Sequence, residues 1–393
     1  MRGLRKYLTP FAPDQSGAVS VLYELGGLIA ICDAGGCTGN VCGFDEPRWF
    51  EQKSALFSAG LRDMDAILGR DDRLVEKLVD AASKLDVKFV AIIGTPVPAV
   101  IGTDYKALGR MCEKRLNMPV ITIDTDGMEL YDVGEEKAWL ELFRTFTEKG
   151  NPNLDIEKKR GKIGVLGLTP QDISDLRAPK KIREYYQEKE GKEAICYCMG
   201  ENVGRMVYGL DNARTAGEVE KNIVVSPAAL AAAKYLEKTF GTPYEATYPI
   251  VEELVPDMDY RGKKILIVHQ QVIGNAMRAE IRRRCQKVNE DSSVDNNAAI
   301  TVASWFMMKP ELSEEGDISF REEDDYMELV KEEDYDIVFA DPMMKRMTED
   351  AYKMAGTGCV ADAHETERKR IFIDATHFAV SGKLREEMKK REA

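Results

Sequence analysis

The chain has 393 residues, of which 44% are hydrophobic and 31% are charged, and this composition is typical of globular proteins. Its 55 Lys and Arg residues and 68 Asp and Glu residues give a formal net charge of −13, which argues against a nucleic-acid partner held mainly by phosphate contacts. No apolar run is long enough to span a membrane, and the N-terminus lacks the apolar core of a signal peptide. We therefore expect a cytoplasmic protein whose eight cysteines are reduced thiols rather than a disulfide framework.

The first third of the chain alternates between helical periodicity and short buried strands. The pattern predicts helices over 17–24, 71–85, 105–116 and 135–147, and strands over 28–31, 65–68, 88–93 and 119–123. The helix over 71–85 presents one apolar face, made of Leu74, Val75, Leu78, Val79, Ala82 and Leu85. Continuous apolar strands that alternate with amphipathic helices indicate a parallel sheet covered on both faces.

A glycine-rich segment with three cysteines follows the strand over 28–31. Cys32, Cys37 and Cys42 recur at two identical spacings, C-x4-C-x4-C, with four glycines among them. Thiolates hold iron–sulfur clusters, and glycine lets the backbone approach a bulky ligand closely. The segment therefore predicts a metal or cluster loop, although its spacing matches neither a standard ferredoxin run nor a zinc-ribbon pair. The alternatives are cysteines that fill a tight turn as small apolar side chains, or a zinc-stabilised loop.

The strand and helix pattern restarts after a polar, turn-rich stretch at 150–153 and again after 249–260. It predicts strands over 162–168, 193–198, 222–225, 263–268, 299–303, 336–340 and 370–373, and helices over 227–240, 274–285, 342–355 and at the charged C-terminus. The acidic stretch 311–333 is interpreted as a solvated, partly helical surface. The predicted fold class is α/β, with three Rossmann-like domains and mainly parallel sheets, divided as 1–152, 153–258 and 259–393.

Two common nucleotide motifs are absent from the sequence. No G-x-x-x-x-G-K-[ST] occurs, so we expect no ATPase activity of the chain itself, and the glycines at 164–167 lack the spacing of a dinucleotide fingerprint. Only three histidines are present, so a His-rich zinc or di-iron site is not expected. The remaining cysteines are interpreted as core residues: Cys112, Cys196, Cys198, Cys285 and Cys359.

Two histidines are the candidate catalytic residues. His269, like Cys198 and Asp341, ends a predicted strand, and ligands of open α/β sheets bind at the carboxyl ends of strands. His377 is a candidate proton donor or ligand in the last predicted strand region. The alternative for each of them is a structural, hydrogen-bonded side chain.

Several segments along residues 15–275 resemble, in the same order, segments of a known family. They include C-D-A-G-G-C at 32–37, L-R-D-M-D-A-I-L-G at 61–69, T-P-V-P-A-V-I-G-T-D at 95–104 and I-G-V-L-G-L-T-P at 163–170. The first three are similar to the H-G-P-x-G-C, E-x-D-x-x-F-G-G and T/E-C-P-x-x-L-I-G-D-D segments of the nitrogenase component 1 family. That family includes the MoFe-protein chains, their scaffold relatives and dark-operative protochlorophyllide reductase, and the chain is identified as a divergent member.

The cysteines depart from the family pattern. Members usually hold a bridging cluster with three cysteines spread along the first domain, and only Cys37 falls on such a position here. The first is missing near Phe11, and Pro96 replaces another, while Cys32 and Cys42 are crowded beside Cys37. The resemblance therefore implies a cluster whose ligands are rearranged into one loop.

Three cysteines leave one position of a [4Fe–4S] cluster to another ligand. A partner chain, Asp33, Asp45 or a small molecule can supply it, and a larger cluster shared across a two-fold interface is the other possibility. Arg48 and Trp49, directly after the loop, either shield the cluster or serve packing and surface salt bridges. The region that holds the family's second metal site has no thiol here, so no FeMo-type cofactor and no dinitrogen fixation are expected.

The resemblance implies a reductase. A separate ATP-hydrolysing iron–sulfur protein delivers electrons to the cluster, and these pass to a small-molecule substrate in a cleft between the domains. The chain is expected to pair with itself or with a related chain. Two alternatives stay open, namely a scaffold on which a metallocluster is assembled and a non-catalytic partner subunit of a related chain.

Overall fold

The computed structural model of the chain describes residues 5–50, 52–69, 71–147, 161–199, 209–287, 297–355 and 370–377. Among these, one compact unit comprises residues 11–245, and the other comprises residues 246–377 together with 5–10. Within the described ranges, no helix combines the length and the apolar character needed to cross a membrane.

The first sheet, in the unit of residues 11–245, has four parallel strands in the order β2-β1-β3-β4. They are β1 (Leu28–Ile31), β2 (Ala55–Ser58), β3 (Val90–Ile93) and β4 (Val120–Ile123). The accompanying helices are α1 (Asp14–Leu22), α2 (Gly36–Asn40), α3 (Asp63–Leu68), α4 (Asp71–Ser83), α5 (Pro96–Ile101), α6 (Tyr105–Leu116) and α7 (Tyr131–Phe146). Every residue of β1 and β3 is buried, as expected for central strands covered by helices on both faces.

The second sheet of this unit has the order β6-β5-β7-β8. Its strands are β5 (Lys162–Leu166), β6 (Glu193–Cys196), β7 (Lys221–Val224) and β8 (Tyr244–Ala246). Its helices are α8 (Ala178–Glu190), α9 (Leu210–Arg214) and α10 (Leu230–Phe240), the last of which is preceded by a 3-10 turn at Pro227–Ala229.

The third sheet, in the other unit, has five parallel strands in the order β11-β10-β9-β12-β13. They are β9 (Lys264–Val268), β10 (Ala299–Ser304), β11 (Ile318–Ser319), β12 (Ile337–Ala340) and β13 (Ile371–Asp374). The helices are α11 (Gln271–Lys287), α12 (Glu323–Glu333) and α13 (Lys345–Met354). The predicted α/β class with three mainly parallel sheets is confirmed, while the division into three domains at 152 and 258 stays a prediction.

One predicted strand is wrong. Residues 65–68 belong to the helix α3, because Asp65 accepts a hydrogen bond from the Arg62 backbone at 3.1 Å and closes a capping box at the helix start. Gly69 then ends the helix with a left-handed φ of 59°. The strand on the other side of β1 from β3 is instead β2, an edge strand in which only Leu56 is buried, so it lacks the continuous apolar run that identifies β1 and β3.

Two glycines let α1 and α7 pack with their backbones in contact. A Cβ atom at Gly17 would lie 1.9 Å from the Tyr131 carbonyl oxygen, and one at Gly134 would lie 1.8 Å from that of Asp14. All nine residues of α1 are buried, so the helix is enclosed rather than laid on the surface. The close approach places the segment before the cysteine loop firmly against α7.

We expect Gly134→Ala to lower the free energy of unfolding of the metal-free chain by about 1 to 3 kcal/mol, because the methyl group forces the two helices apart. The matched control is Gly39→Ala in α2, where an added Cβ meets no atom within 4 Å. The control should leave stability unchanged or raise it by about 0.5 to 1 kcal/mol through helix propensity. Urea unfolding followed by circular dichroism measures both, and equal effects would contradict the packing argument.

Candidate metal centre

The cysteine loop leaves the carboxyl end of β1 at Cys32, which belongs to the core. Its backbone N–H donates to the Ile93 carbonyl at 2.8 Å, and its own carbonyl accepts from the Thr95 hydroxyl at 2.6 Å. The side chain lies in the apolar cluster with Leu74 and Leu108, and only 1% of the residue is exposed. Burial, followed by the charge of Asp33, raises the pKa of the Cys32 thiol to about 12. This thiol is therefore kept protonated and away from solvent.

Asp33 fixes the start of the loop. Its carboxylate accepts hydrogen bonds from the Thr38 backbone at 2.7 Å, the Thr38 hydroxyl at 3.0 Å and the Ser58 hydroxyl at 2.6 Å. Between them, Gly35 turns the chain with a left-handed φ of 116°, which only glycine adopts without strain. The Asp33 carboxylate thus serves as the anchor of α2, with both of its oxygens engaged.

Cys37 and Cys42 lie on a short helical segment that follows this anchor. Cys37 is in α2, and Cys42 is in the π-helical turn Val41–Asp45, which closes with a hydrogen bond from the Glu46 N–H to the Val41 carbonyl at 2.9 Å. Both cysteines are half-buried. Partial burial and then Asp33 raise the pKa of Cys37, and partial burial, Glu46 and Asp33 raise that of Cys42. π-Helical turns are frequent at functional sites.

The outer face of this segment is open. A Cβ atom added at any of its four glycines, Gly35, Gly36, Gly39 and Gly43, would meet no atom within 4 Å. Phe44, on the same segment, is 64% exposed. An inorganic cluster or a partner surface can therefore approach the backbone beside Cys37 and Cys42. These two thiols fit an iron–sulfur group by their chemistry and access, whereas the buried Cys32 does not face that side.

The predicted set of three cysteine ligands is not assembled within this one chain. Among the described residues, no group of three or more His, Cys, Asp or Glu side chains is placed to hold a metal ion. The roles of Cys32, Cys37 and Cys42 as ligands stay a prediction. Of the other cysteines, Cys112, Cys196, Cys198 and Cys285 are buried, as predicted for core residues, and Cys359 lies outside the described residues.

Asp45 ends the π-helical turn in a buried polar pocket. Its carboxylate accepts from the Ser16 hydroxyl at 2.7 Å and the Asn40 amide at 2.6 Å. Its backbone carbonyl accepts from the Gln171 amide, which ties the turn to the segment after β5. Burial raises the pKa of Asp45 to about 6 despite the hydrogen bond from Ser16, and the neighbouring Glu46 charge adds to the rise.

Arg48 is a buried clamp at the end of the loop, not a surface salt bridge. Its guanidinium pairs with Glu46 at 2.7 Å and with Glu24 at 3.0 Å. It also donates to the Ser20 carbonyl at 2.7 Å and to the Cys198 carbonyl at 3.3 Å. The clamp joins the loop to α1 and to the residues after β6. The run D-E-P-R-W at 45–49, two residues beyond the third cysteine, was the available sequence signal for it.

Sequence patterns missed a set of exposed apolar side chains that follow three strands of the first sheet. They lie on the helices that follow β2 and β3 and in the turn after β4: Met64, Ile67, Leu68, Val97, Val100, Ile101 and Met128. Val100 is 86% exposed and Met128 is 80% exposed. Periodicity gives no sign of such a surface, because it assigns apolar residues to the core. Exposed apolar surface around a loop indicates an interaction site.

The two candidate histidines meet in the other unit. The rings of His269 and His377 stack with centroids 4.5 Å apart and an interplanar angle of 10°, and Phe306 packs edge-on against His377. The backbone N–H of His377 donates to the Asp341 carboxylate at 3.1 Å. The ring Nδ1 of His269 accepts from the backbone N–H of Gln270 at 2.9 Å. Burial, with the neighbouring His377, lowers the pKa of His269 well below its usual value. Their catalytic roles stay a prediction.

We expect Arg48→Met to lower the free energy of unfolding of the metal-free chain by about 3 to 5 kcal/mol, because it leaves Glu46 buried without its cation. The matched control is Arg177→Met, which breaks an ion pair with Asp175 whose Arg side chain is 62% exposed. The control should cost about 1 kcal/mol or less. Unfolding in guanidinium chloride measures both variants. A loss of stability in Arg48→Met no larger than that of the control would show that the clamp is dispensable.

The raised pKa of Asp45 should make the free energy of unfolding fall as the pH rises. Its pKa is about 6 in the folded chain against an ordinary value of 3.8, so the neutral form favours folding. Relative to Asp45→Asn, the wild-type metal-free chain should be most stable below the ordinary value and lose up to about 3 kcal/mol as the pH rises through the folded value.

Asp175→Asn is the control for this measurement. Burial raises the pKa of Asp175, but hydrogen bonds from Lys181 and the Arg177 backbone outweigh it and lower the pKa overall. The wild-type advantage over this variant should therefore grow, not shrink, as the pH rises. Unfolding midpoints at a series of pH values measure both, and the same trend in both pairs would refute the assignment.

Known proteins share both the sequence pattern and the fold. Residues 16–251 match the family model described as nitrogenase component 1 type oxidoreductase. The nitrogenase iron-molybdenum cofactor biosynthesis protein NifE of Bradyrhizobium diazoefficiens is 24% identical over 194 residues, which cover 48% of this chain and 32% of that protein. The aligned part is thus about a third of the length of that relative.

Two solved structures have a similar fold. The structure described as nitrogenase Cp1 at pH 6.5 superposes with a TM-score of 0.62 and 14% identity, over 89% of this chain and 85% of that one. The structure described as nitrogenase Cp1 at pH 5 gives a TM-score of 0.55 and 15% identity, over 99% of this chain and 80% of that one. The resemblance inferred from the sequence is confirmed by a family model that covers more than half of the chain. The chain belongs to the nitrogenase component 1 type oxidoreductase family.

Proposed function

We propose that the chain is the cluster-bearing component of a nitrogenase-like reductase. It accepts electrons from a separate ATP-hydrolysing iron–sulfur protein and passes them to a small-molecule substrate. The observation that carries this proposal is the pair of half-buried thiols, Cys37 and Cys42, on an open, glycine-lined segment. Members of this family bind iron–sulfur clusters, and thiolates are the ligands that such clusters require.

Two accessible thiols in each chain favour a cluster shared by a pair of chains. A [4Fe–4S] cluster needs four ligands, and a two-fold pair supplies Cys37 and Cys42 twice. The exposed Phe44 and the exposed apolar side chains after β2, β3 and β4 provide surface that such a pair can bury. Cys32 then remains a core residue. A second chain of the same family can replace the second copy without changing this ligand count.

The residues around the loop have separate tasks in this proposal. The bound cluster supplies single-electron transfer. Asp33 holds the start of the segment, and Arg48 with Glu46 holds its end, so that both thiols are presented at fixed positions. Partial burial and then the acidic neighbours raise the pKa of both thiols and keep them protonated in the metal-free chain, and the thiols would lose their protons on binding iron.

A scaffold for metallocluster assembly is the second candidate function. The similarity to NifE, a cofactor biosynthesis protein by its description, favours it. A scaffold releases its cluster to an acceptor protein, whereas a reductase retains its cluster and turns over substrate. Incubating the holo-protein with a metal-free acceptor, and separately with an ATP-hydrolysing iron–sulfur reductase and ATP, distinguishes the two. Iron transfer supports the scaffold, and ATP-dependent reduction of a retained cluster supports the reductase.

Cys37→Ala and Cys42→Ala should each abolish cluster binding, because each removes two of the four ligands of a paired site. We expect about four irons per two wild-type chains after anaerobic purification. Iron and sulfide analysis with low-temperature EPR measures this. Cys32→Ala and the core control Cys112→Ala should retain the iron. Loss of iron in a folded Cys32→Ala variant would show that Cys32 is also a ligand. An iron-free wild-type chain would overturn the proposed function.

A further inference from the structure

A second group of titratable side chains lies buried behind the loop. Glu135 of α7 and Asp172, in the segment after β5, are 0% and 2% exposed, and they lie close enough for Asp172 to raise the pKa of Glu135 in addition to the effect of burial. The Thr169 hydroxyl donates to Glu135 Oε1 at 2.6 Å, and the Tyr131 hydroxyl donates to Asp172 Oδ1 at 2.8 Å. We call Glu135 and Asp172 the acid pair.

The acid pair holds a proton. Within the described residues, Glu135 Oε2 is buried and no hydrogen-bond donor is directed at it. Two buried carboxyl groups in contact cannot both be ionised, because the charges repel in a medium of low dielectric. Burial raises the pKa of Glu135 well above its usual value, and Asp172 raises it further. One shared proton between the two facing oxygens satisfies both groups.

The outer partners of the acid pair allow it to change its charge. Thr169 and Tyr131 contact it through hydroxyl groups, and a hydroxyl can rotate from donor to acceptor. A second proton on the pair can therefore be donated to one of these hydroxyl oxygens. Asp14 shows the opposite case, since backbone N–H groups, which can only donate, point at its carboxylate: those of Gln15, Asp126 and Gly127.

Two segments connect the acid pair to the loop. Gln171, next to Asp172, donates to the Asp45 carbonyl at the end of the π-helical turn that carries Cys42. The helix α1 supplies the other connection. Its Ser16 hydroxyl donates to the Asp45 carboxylate, and a Cβ atom at the adjacent Gly17 would lie 3.0 Å from Glu135 Cγ. The same elements thus contact both the acid pair and the loop.

We propose that Glu135 and Asp172 form a proton-storing site that would take up one proton when the iron–sulfur group that Cys37 and Cys42 would hold gains one electron. The electron comes from the ATP-hydrolysing iron–sulfur protein, so the inference rests on the proposed function. A hydronium ion of the solvent would supply the proton: its O–H bond breaks to leave water as an O–H bond forms on the pair, which then holds two protons and no charge. When the electron leaves for the substrate, the O–H bond breaks and the proton leaves too.

Other titratable groups also face the acid pair. Asp132, on α7, raises the pKa of Glu135, and Tyr131 lies on the same helix. Cys198, after β6, feels the charge of Glu135, which adds to the rise of its own pKa. An anionic neighbour such as Asp132 favours proton uptake when a further negative charge arrives. The pair therefore has the electrostatic setting that couples a proton to an electron.

The first test detects the stored proton in the metal-free chain by infrared spectroscopy at neutral pH. We expect the carbonyl band of a protonated carboxylic acid in the wild-type chain. The control Glu141→Gln should keep the band, since Glu141 forms an exposed ion pair with Arg144 on the same helix. Glu135→Gln should remove it, with circular dichroism checking the fold. Absence of the band in the wild-type chain would overturn the proposal.

The second test measures the midpoint potential of the holo-protein against pH. In the wild-type protein and Glu141→Gln, the potential should fall by about 59 mV for each tenfold decrease in proton activity, because one proton accompanies one electron. Glu135→Gln and Asp172→Asn should retain the iron and make the potential independent of pH; Asp172→Asn serves alone if the other variant does not fold. A pH-independent wild-type potential would overturn the redox link.

The two tests separate this inference from the proposed function. If the wild-type chain binds no iron, the proposed function fails and the redox link fails with it. The infrared band is measured without iron, so it still decides whether the acid pair stores a proton. If iron binds and the potential does not respond to Glu135→Gln, the proposed function stands and the proton-coupling role is refuted.

Discussion

The cysteine loop depends on one buried cation. Arg48 reaches Glu46, Glu24 and the carbonyl oxygens of Ser20 and Cys198, so a single side chain joins the loop to α1 and to the residues after β6. The rigid fork of a guanidinium supplies these donors at once, and the point charge of a lysine cannot replace it. A buried cation of this kind is costly to separate from its anions. The position of the loop is therefore a property of the whole unit rather than of the loop.

The thiols of the loop are neutral in the metal-free chain. Partial burial raises the pKa of both thiols, Asp33 adds to the rise at Cys37, and Glu46 and Asp33 add to it at Cys42, so both thiols stay neutral in the metal-free chain. Under the proposed function, iron binding would require both thiols to lose their protons, so it would be coupled to proton release.

Some elements follow directly from local patterns. The helix α4 buries Leu74, Val75, Leu78 and Ala82, as its period indicates, whereas Leu85 is 40% exposed because the helix ends at Ser83. The 65–68 segment shows the limit of such patterns, since four residues can satisfy either period and the capping hydrogen bond of Asp65 decides for a helix. Boundaries depend on caps and turns, which periodicity does not encode.

The sequence by itself determined the α/β class, the family and the segment that carries the candidate thiols, because these depend on order, spacing and local chemistry. Only the tertiary structure decided which thiols are accessible. Cys32, Cys37 and Cys42 are equally spaced along the chain, yet the first continues a buried strand into the core and the other two lie on an open turn. It also brought Glu135 close to Asp172. Glu135 lies on a helix of the first sheet and Asp172 follows a strand of the second, and the two share no motif. Contacts between residues distant in the chain arise from packing, and no local pattern records them.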